Sequence, residues 1–155
     1  MTDDFRLGGL TSYLVRAQEA YCTEQLRHYH IMYGQFPVLR ALYRGDSINQ
    51  DTLAKRLLFN KATIARAIDK LEQAGYVTRT RDESDRRANR ISLTPEGWEI
   101  KPAMDRISHD WNMILLSGLT DVEALMLKEL MKKIVSGVMS EMEQEDMTVI
   151  SELMK

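Results

Sequence analysis

The sequence predicts a mostly α-helical fold carrying one small β-hairpin. Apolar residues recur at helical spacing through most of the chain, and the period changes to two only across residues 76–93. Candidate caps and glycines then cut the helical part into six segments, four before the hairpin and two after it. The length of 155 residues suits one domain, since domains run to roughly 100–200 residues. With 44% hydrophobic and 28% charged residues, the chain can bury a core and is not of a disordered class.

The first helix is predicted over residues 4–28, with Leu10, Leu14, Ala17 and Tyr21 on one face. A short second helix covers residues 35–43. Its apolar set is Phe36, Leu39, Leu42 and Tyr43, Pro37 sits in its first turn, and Gly45 is placed to end it in the left-handed conformation. The third helix opens at Ser47, where Ser47 and Gln50 have the spacing of a capping box. Ile48, Leu53, Ala54 and Leu57 form its inner side. The fourth opens at Asn60 as N-cap, buries Ile64, Ala67, Ile68 and Leu71, and stops at Gly75.

Tyr76-Val77-Thr78-Arg79-Thr80-Arg81 reads as a strand, residues 82–89 as a polar turn, and Arg90-Ile91-Ser92-Leu93 as the returning strand. Thr94-Pro95 restarts a helix, expected to run to about residue 116 with a bend at Pro102. Gly118 ends it. Thr120 and Glu123 make a capping box for a last helix with Val122, Met126, Leu130, Ile134 and Val138 in register. Residues 143–155 continue it or fray.

A helix–helix–hairpin unit at the centre is a winged helix-turn-helix, expected over residues 34–97. The outer segments, 4–33 and 98–155, carry more apolar surface than such a unit needs, and eight of the ten methionines lie at or after Met104. They are read as a helical dimerisation region formed by two copies of the chain.

Charge supports a nucleic-acid partner. The net charge is −2, yet residues 53–94 hold ten Lys and Arg against five acids, and residues 138–155 are net −4. A basic middle on an acidic protein is the footprint of a confined nucleic-acid site, although a solvated charged face would look the same by composition. There is no apolar run long enough to span a membrane and no secretion signal at Met1-Thr2-Asp3-Asp4. Cys22 is the only cysteine, which excludes an internal disulfide and suits a reducing cytoplasm.

Three stretches resemble the MarR family of transcription regulators. Asn49-Gln50-Asp51-Thr52-Leu53-Ala54-Lys55-Arg56-Leu57 is similar to its first motif helix. Asn60-Lys61-Ala62-Thr63-Ile64-Ala65-Arg66-Ala67-Ile68-Asp69-Lys70-Leu71-Glu72-Gln73-Ala74-Gly75-Tyr76-Val77 resembles its recognition helix. Asp82-Glu83-Ser84-Asp85-Arg86-Arg87-Ala88-Asn89-Arg90-Ile91-Ser92-Leu93-Thr94 resembles its wing. Ala65 stands where the family often has Thr. The resemblance implies a homodimer that binds double-stranded DNA at a palindromic operator, most often as a repressor.

The residues themselves then sort by role. On the outer face of the fourth helix, Arg66 suits a bidentate contact to guanine, and Thr63 a phosphate or base edge. Ala62 and Ala65 permit close approach, while Lys61 and Lys70 suit phosphates. The resemblance places Arg87 in the minor groove with Asp85 holding its guanidinium, and Arg86 and Arg90 add phosphate contacts. An Asp–Arg pair that merely stabilises the turn is the plainer reading of Asp85.

Family members are often released by phenolic or carboxylate ligands bound between the dimer helices and the winged part, which points here to Arg16, His30, Tyr33, Arg40 and Trp111. Cys22 reads as a buried small residue, because the family's peroxide sensors carry their Cys near the position of Gly8 or Gly9. Zinc through Cys22, His30 and His109 lacks ligand spacing, so no metal and no cofactor is assigned. No nucleophile–base or phosphate-loop pattern supports an enzyme. The competing reading is a winged-helix module that binds protein rather than DNA.

Overall fold

The computed structural model describes residues 7–81 and 88–142. Two compact units divide after Trp111. The first holds helix α1 (Leu7–Leu26), two short 3₁₀ turns (Arg27–Tyr29 and Tyr33–Gln35), α2 (Phe36–Arg44), β1 (Ile48–Asn49), α3 (Gln50–Arg56), α4 (Lys61–Gln73), β2 (Val77–Arg81), β3 (Asn89–Leu93) and α5 (Pro95–Glu99). Helix α6 (Lys101–Leu116) runs across the division, and α7 (Asp121–Met142) lies in the second unit.

The predicted caps at Asn60, Gly75 and Thr120–Glu123 form. The Asn60 side-chain oxygen accepts the Thr63 N–H at 2.8 Å, which satisfies one of the free donors at the start of α4. At its far end Gly75 takes φ 81. The Gly75 N–H reaches Glu72 O at 3.0 Å and the Tyr76 N–H reaches Leu71 O at 2.9 Å, the paired bonds of a Schellman motif. In the second unit, Thr120 and Glu123 exchange the bonds of a capping box, at 2.8 Å and 3.4 Å.

Four expectations are corrected. Ser47 is not an N-cap. It sits at φ 59, and α3 begins at Gln50, capped by Asn49, whose side chain accepts the Asp51 N–H at 2.8 Å. Ile48 and Asn49 instead form a third strand, pairing with Ile91 and Arg90 of β3. The sheet is therefore three-stranded and antiparallel, in the order β1-β3-β2. Gly45 is extended, at φ −164, not left-handed. The expected single helix after the hairpin is two, broken at Ile100. Pro102 then falls in the first turn of α6, where its missing N–H is tolerated.

The first unit is closed around one core. Leu26, Val38, Leu39, Leu42, Leu53, Ile64, Ile68, Leu71 and Ile91 are fully buried, each contributing roughly 1.5–3 kcal/mol by removal from water. The face expected on α1 behaves differently. Only Cys22 and Leu26 of that helix are buried, while Leu10 is 57% and Leu14 47% exposed.

Gly97 is the tightest position. A Cβ there would run into the backbone carbonyl of Tyr76, which cannot retreat because it accepts the Thr94 N–H at 3.1 Å. Gly97→Ala is therefore expected to destabilise the fold by about 1–3 kcal/mol, read as a lower urea midpoint by circular dichroism. An unchanged midpoint would show that α5 can shift away from the hairpin.

Candidate nucleic-acid interface

The two faces of α4 separate cleanly. Ile64, Ala67, Ile68 and Leu71 are buried, Lys61, Ala62, Arg66 and Lys70 are exposed, and Thr63 and Ala65 lie between. A helix anchored along one side presents the other as a rigid surface. The turn before it is also fixed: Leu58 takes φ 53, a left-handed position that costs an L-residue roughly 1–2 kcal/mol, with its side chain in solvent.

The cations on and beside this surface are not equivalent. Lys61 Nζ lies 3.2 Å from Asp51 on α3, an exposed pair worth little in water. Lys70 donates to the Gln73 side chain at 3.4 Å. Arg66 has no partner among the described residues. Arg90, half-buried on β3, donates through Nε to the Ser47 hydroxyl at 3.1 Å and through Nη2 to the Ser47 carbonyl. It thus braces β1 against β3, and any phosphate contact must share that guanidinium. Asp46 completes the brace by accepting the Leu93 N–H at 2.8 Å.

The sequence reading did not single out Arg79. Its Nη2 lies 2.5 Å from Asp69 and its Nη1 3.9 Å from Glu72, joining β2 to α4. Its Nε is buried without an acceptor. Two acids three residues apart followed by an alternating strand Arg were visible in the sequence. Their pairing depends on where the strand leaves the helix, which the sequence pattern does not specify. Asp85, Arg86 and Arg87 lie outside the described residues. The stem of the hairpin is paired up to Arg81 and Asn89.

The fold has counterparts among known proteins. The sequence model of the MarR family fits residues 31–88. A MarR transcriptional regulator from Methanosarcina mazei Go1 is 39% identical and superposes with a TM-score of 0.84, over 86% of this chain and 96% of that one. The chain belongs to the MarR family. MarR of E. coli in its apo form is 26% identical with a TM-score of 0.71, covering 86% of this chain and 98% of that one. The HTH-type transcriptional regulator SarZ of Staphylococcus aureus (strain USA300) is 36% identical over 86 residues, 56% of this chain and 58% of its own length. The chain thus spans little more than half the length of the curated relatives it matches.

The residues that the MarR resemblance suggested for an effector are spread over several environments. Arg40 Nη1 is 2.7 Å from Asp105 Oδ1, and Lys101 hydrogen-bonds the same carboxylate. The Lys101 hydrogen bond and the two cations hold the Asp105 carboxyl below its ordinary range. Trp111 is buried against Tyr21, ring centroids 5.7 Å apart. Tyr33 packs half-buried on the core, His30 is exposed at φ 54, and Arg16 is exposed. No hydrogen bond, ion pair or ring contact joins any two of these five among the described residues. Nor, among those residues, does any group of three His, Cys, Asp or Glu stand close enough to hold a metal.

Cys22 is 1% exposed, and burial pushes its thiol pKa up. Both properties oppose thiolate chemistry. Ellman's reagent is expected to leave Cys22 unmodified in the native protein and to react fully in denaturant. Rapid labelling of the native protein would overturn the buried assignment.

Proposed function

We propose that the chain is a sequence-specific DNA-binding transcription regulator of the cytoplasm, acting as a homodimer on a palindromic operator and most simply as a repressor. The observation that carries this reading is the outer face of α4. It is cationic, rigidly backed by buried Ile64, Ile68 and Leu71, and offers Arg66 with no partner among the described residues. Arg66 is assigned to a base edge in the major groove, Thr63 to a phosphate or base, and Lys61 and Lys70 to phosphates. Ala62 and Ala65 let the helix approach closely. At the wing, Arg87 enters the minor groove with Asp85 orienting it, and Arg86 and Arg90 meet phosphates.

The partner for the dimer is a second copy. On α7, Val122, Met126, Leu130, Ile134 and Val138 recur every four residues and are about half or more exposed, from 48% to 70%. On α1, Leu7, Leu10, Leu14 and Val15 are exposed in the same way. Apolar surface on this scale marks an interface. A two-fold dimer sets the half-sites about 34 Å apart, one turn of DNA. A phenolic or carboxylate ligand is the proposed effector, with Arg16, His30, Tyr33, Arg40 and Trp111 as its candidate contacts.

Gel shifts on genomic fragments across salt concentrations test the function. Arg66→Ala is expected to relax discrimination at one base pair by about 1–3 kcal/mol. Arg87→Ala is expected to weaken binding by about 1–3 kcal/mol. Binding without sequence preference would favour a protein-interaction module. Sedimentation should give a dimer, shifted toward monomer by Ile134→Asp; a wild-type monomer would remove the dimer from the mechanism.

A further inference from the structure

The reading helix carries two acids on the margin of its DNA-facing surface. Asp69 lies three residues after Arg66, so the two side chains are neighbours on the helix. A free carboxylate at that distance would be the natural partner for the Arg66 guanidinium. It would also face the phosphates with the wrong sign. Yet Arg66 has no partner among the described residues. Asp69 is occupied instead by Arg79, at 2.5 Å from Nη2, and Glu72 lies 3.9 Å from the other Nη of the same fork.

The Arg79 side chain is 26% exposed, against 49% for Asp69 and 42% for Glu72. It therefore approaches from the protein side and leaves the outer face of α4 clear. Its Nε has no acceptor, so the carboxylates are its polar partners. Only an Arg can do this with one side chain, because its planar fork spans two carboxylates one helical turn apart, whereas a Lys ammonium is a single point. β2 places it there: Arg79 pairs with Ile91 in the middle of the strand ladder, and Val77, two residues before it on the same face, is buried.

We propose that Arg79 is a positioning residue for DNA reading: anchored beside Glu72, it sequesters Asp69 so that Arg66 stays available to the base. This rests on the DNA-binding reading above. It differs from a purely structural tie between helix and wing, in which the bond itself matters and the acid is needed as much as the Arg.

The two are separated by measuring anisotropy binding of Arg79→Gln, Asp69→Asn and the double variant to a DNA site selected with the wild-type protein, with thermal melts alongside. Arg79→Gln is expected to lose at least about fivefold in discrimination at the base pair read by Arg66, the lower end of the value of one bidentate contact. Asp69→Asn alone should keep wild-type discrimination. The double variant should recover it, because the competing carboxylate is gone. A double variant no better than Arg79→Gln, or Asp69→Asn as impaired as Arg79→Gln, would overturn the proposal in favour of the tie. Full discrimination by Arg79→Gln would overturn it outright. If Arg79→Gln does not fold, Asp69→Asn decides alone: retained discrimination supports sequestration and lost discrimination refutes it. A wild-type protein with no sequence preference would instead overturn the function itself, and this inference with it.

Discussion

The geometry of the reading surface depends on one junction, where α4 ends and both ends of the hairpin meet. The Thr94 hydroxyl donates to Gly75 O at 2.7 Å and accepts the Gly97 N–H at 3.0 Å. The Thr94 N–H donates to Tyr76 O. Two tyrosines close the knot from outside: Tyr76 donates to Tyr29 O at 3.0 Å, and Tyr43 donates to Gly97 O at 2.8 Å. Burial, the largest influence on it, pushes the Tyr43 hydroxyl up to about 12, so it remains a donor at any working pH. Every bond here ends on backbone or on a hydroxyl capping backbone. The direction in which β2 leaves α4 is therefore held by hydrogen bonds that end on backbone groups, with the Arg79 pairs as a further tie. A wing aimed this way keeps a constant relation to the reading helix, and that relation is what a fixed DNA groove spacing requires.

Charge is distributed by the same logic. The net +5 of residues 53–94 does not act as a uniform field. Arg79 is committed to acids on α4 and Arg90 to Ser47. Such partners hold the hairpin in place but reduce the charge available to a polyanion. Arg66 stays outside these pairs, at the centre of the exposed face. Among its described residues, the segment that looked evenly basic in composition thus holds cations committed to internal partners and, on the outer face of α4, an exposed Arg66. An acidic protein can then select a partner by position without attracting every polyanion in solution.

What could be read from the sequence follows the range of the interaction. Asn60, Gly75, Thr94 and the Thr120–Glu123 box act through contacts three to five residues apart, so their roles were legible. Ser47 was misread for the complementary reason. The Ser47–Gln50 spacing satisfies a local capping rule, but pairing of Ile48 and Asn49 with β3, more than forty residues on, outweighs one cap. Gly97 had no local signature, since its need for a missing Cβ comes from the Tyr76 carbonyl. Likewise the break at Ile100 was displaced from Pro102, because a proline in a first turn ends nothing. The outer face of α4 was legible because its spacing alone assigns inward and outward sides, whereas the clamp on Asp69 was not, because it needs the strand direction.

The terminal helices extend this argument from one chain to two. An amphipathic helix of 22 residues such as α7 gains little from intrinsic propensity alone, and most helical stability comes from packing an apolar face. Leu130 and Ile134 are 48% and 49% exposed, so that packing is incomplete within the chain. Burying each such residue against a second copy would add up to roughly 1.5–3 kcal/mol, and repetition along the helix gives the association its length and register. In the proposed dimer, the surface that stabilises the helix is also the one that would set the distance between two reading heads. Under that proposal, stability of the outer helices and spacing of the half-sites are a single physical requirement, which fits the exposed apolar faces of α1 and α7.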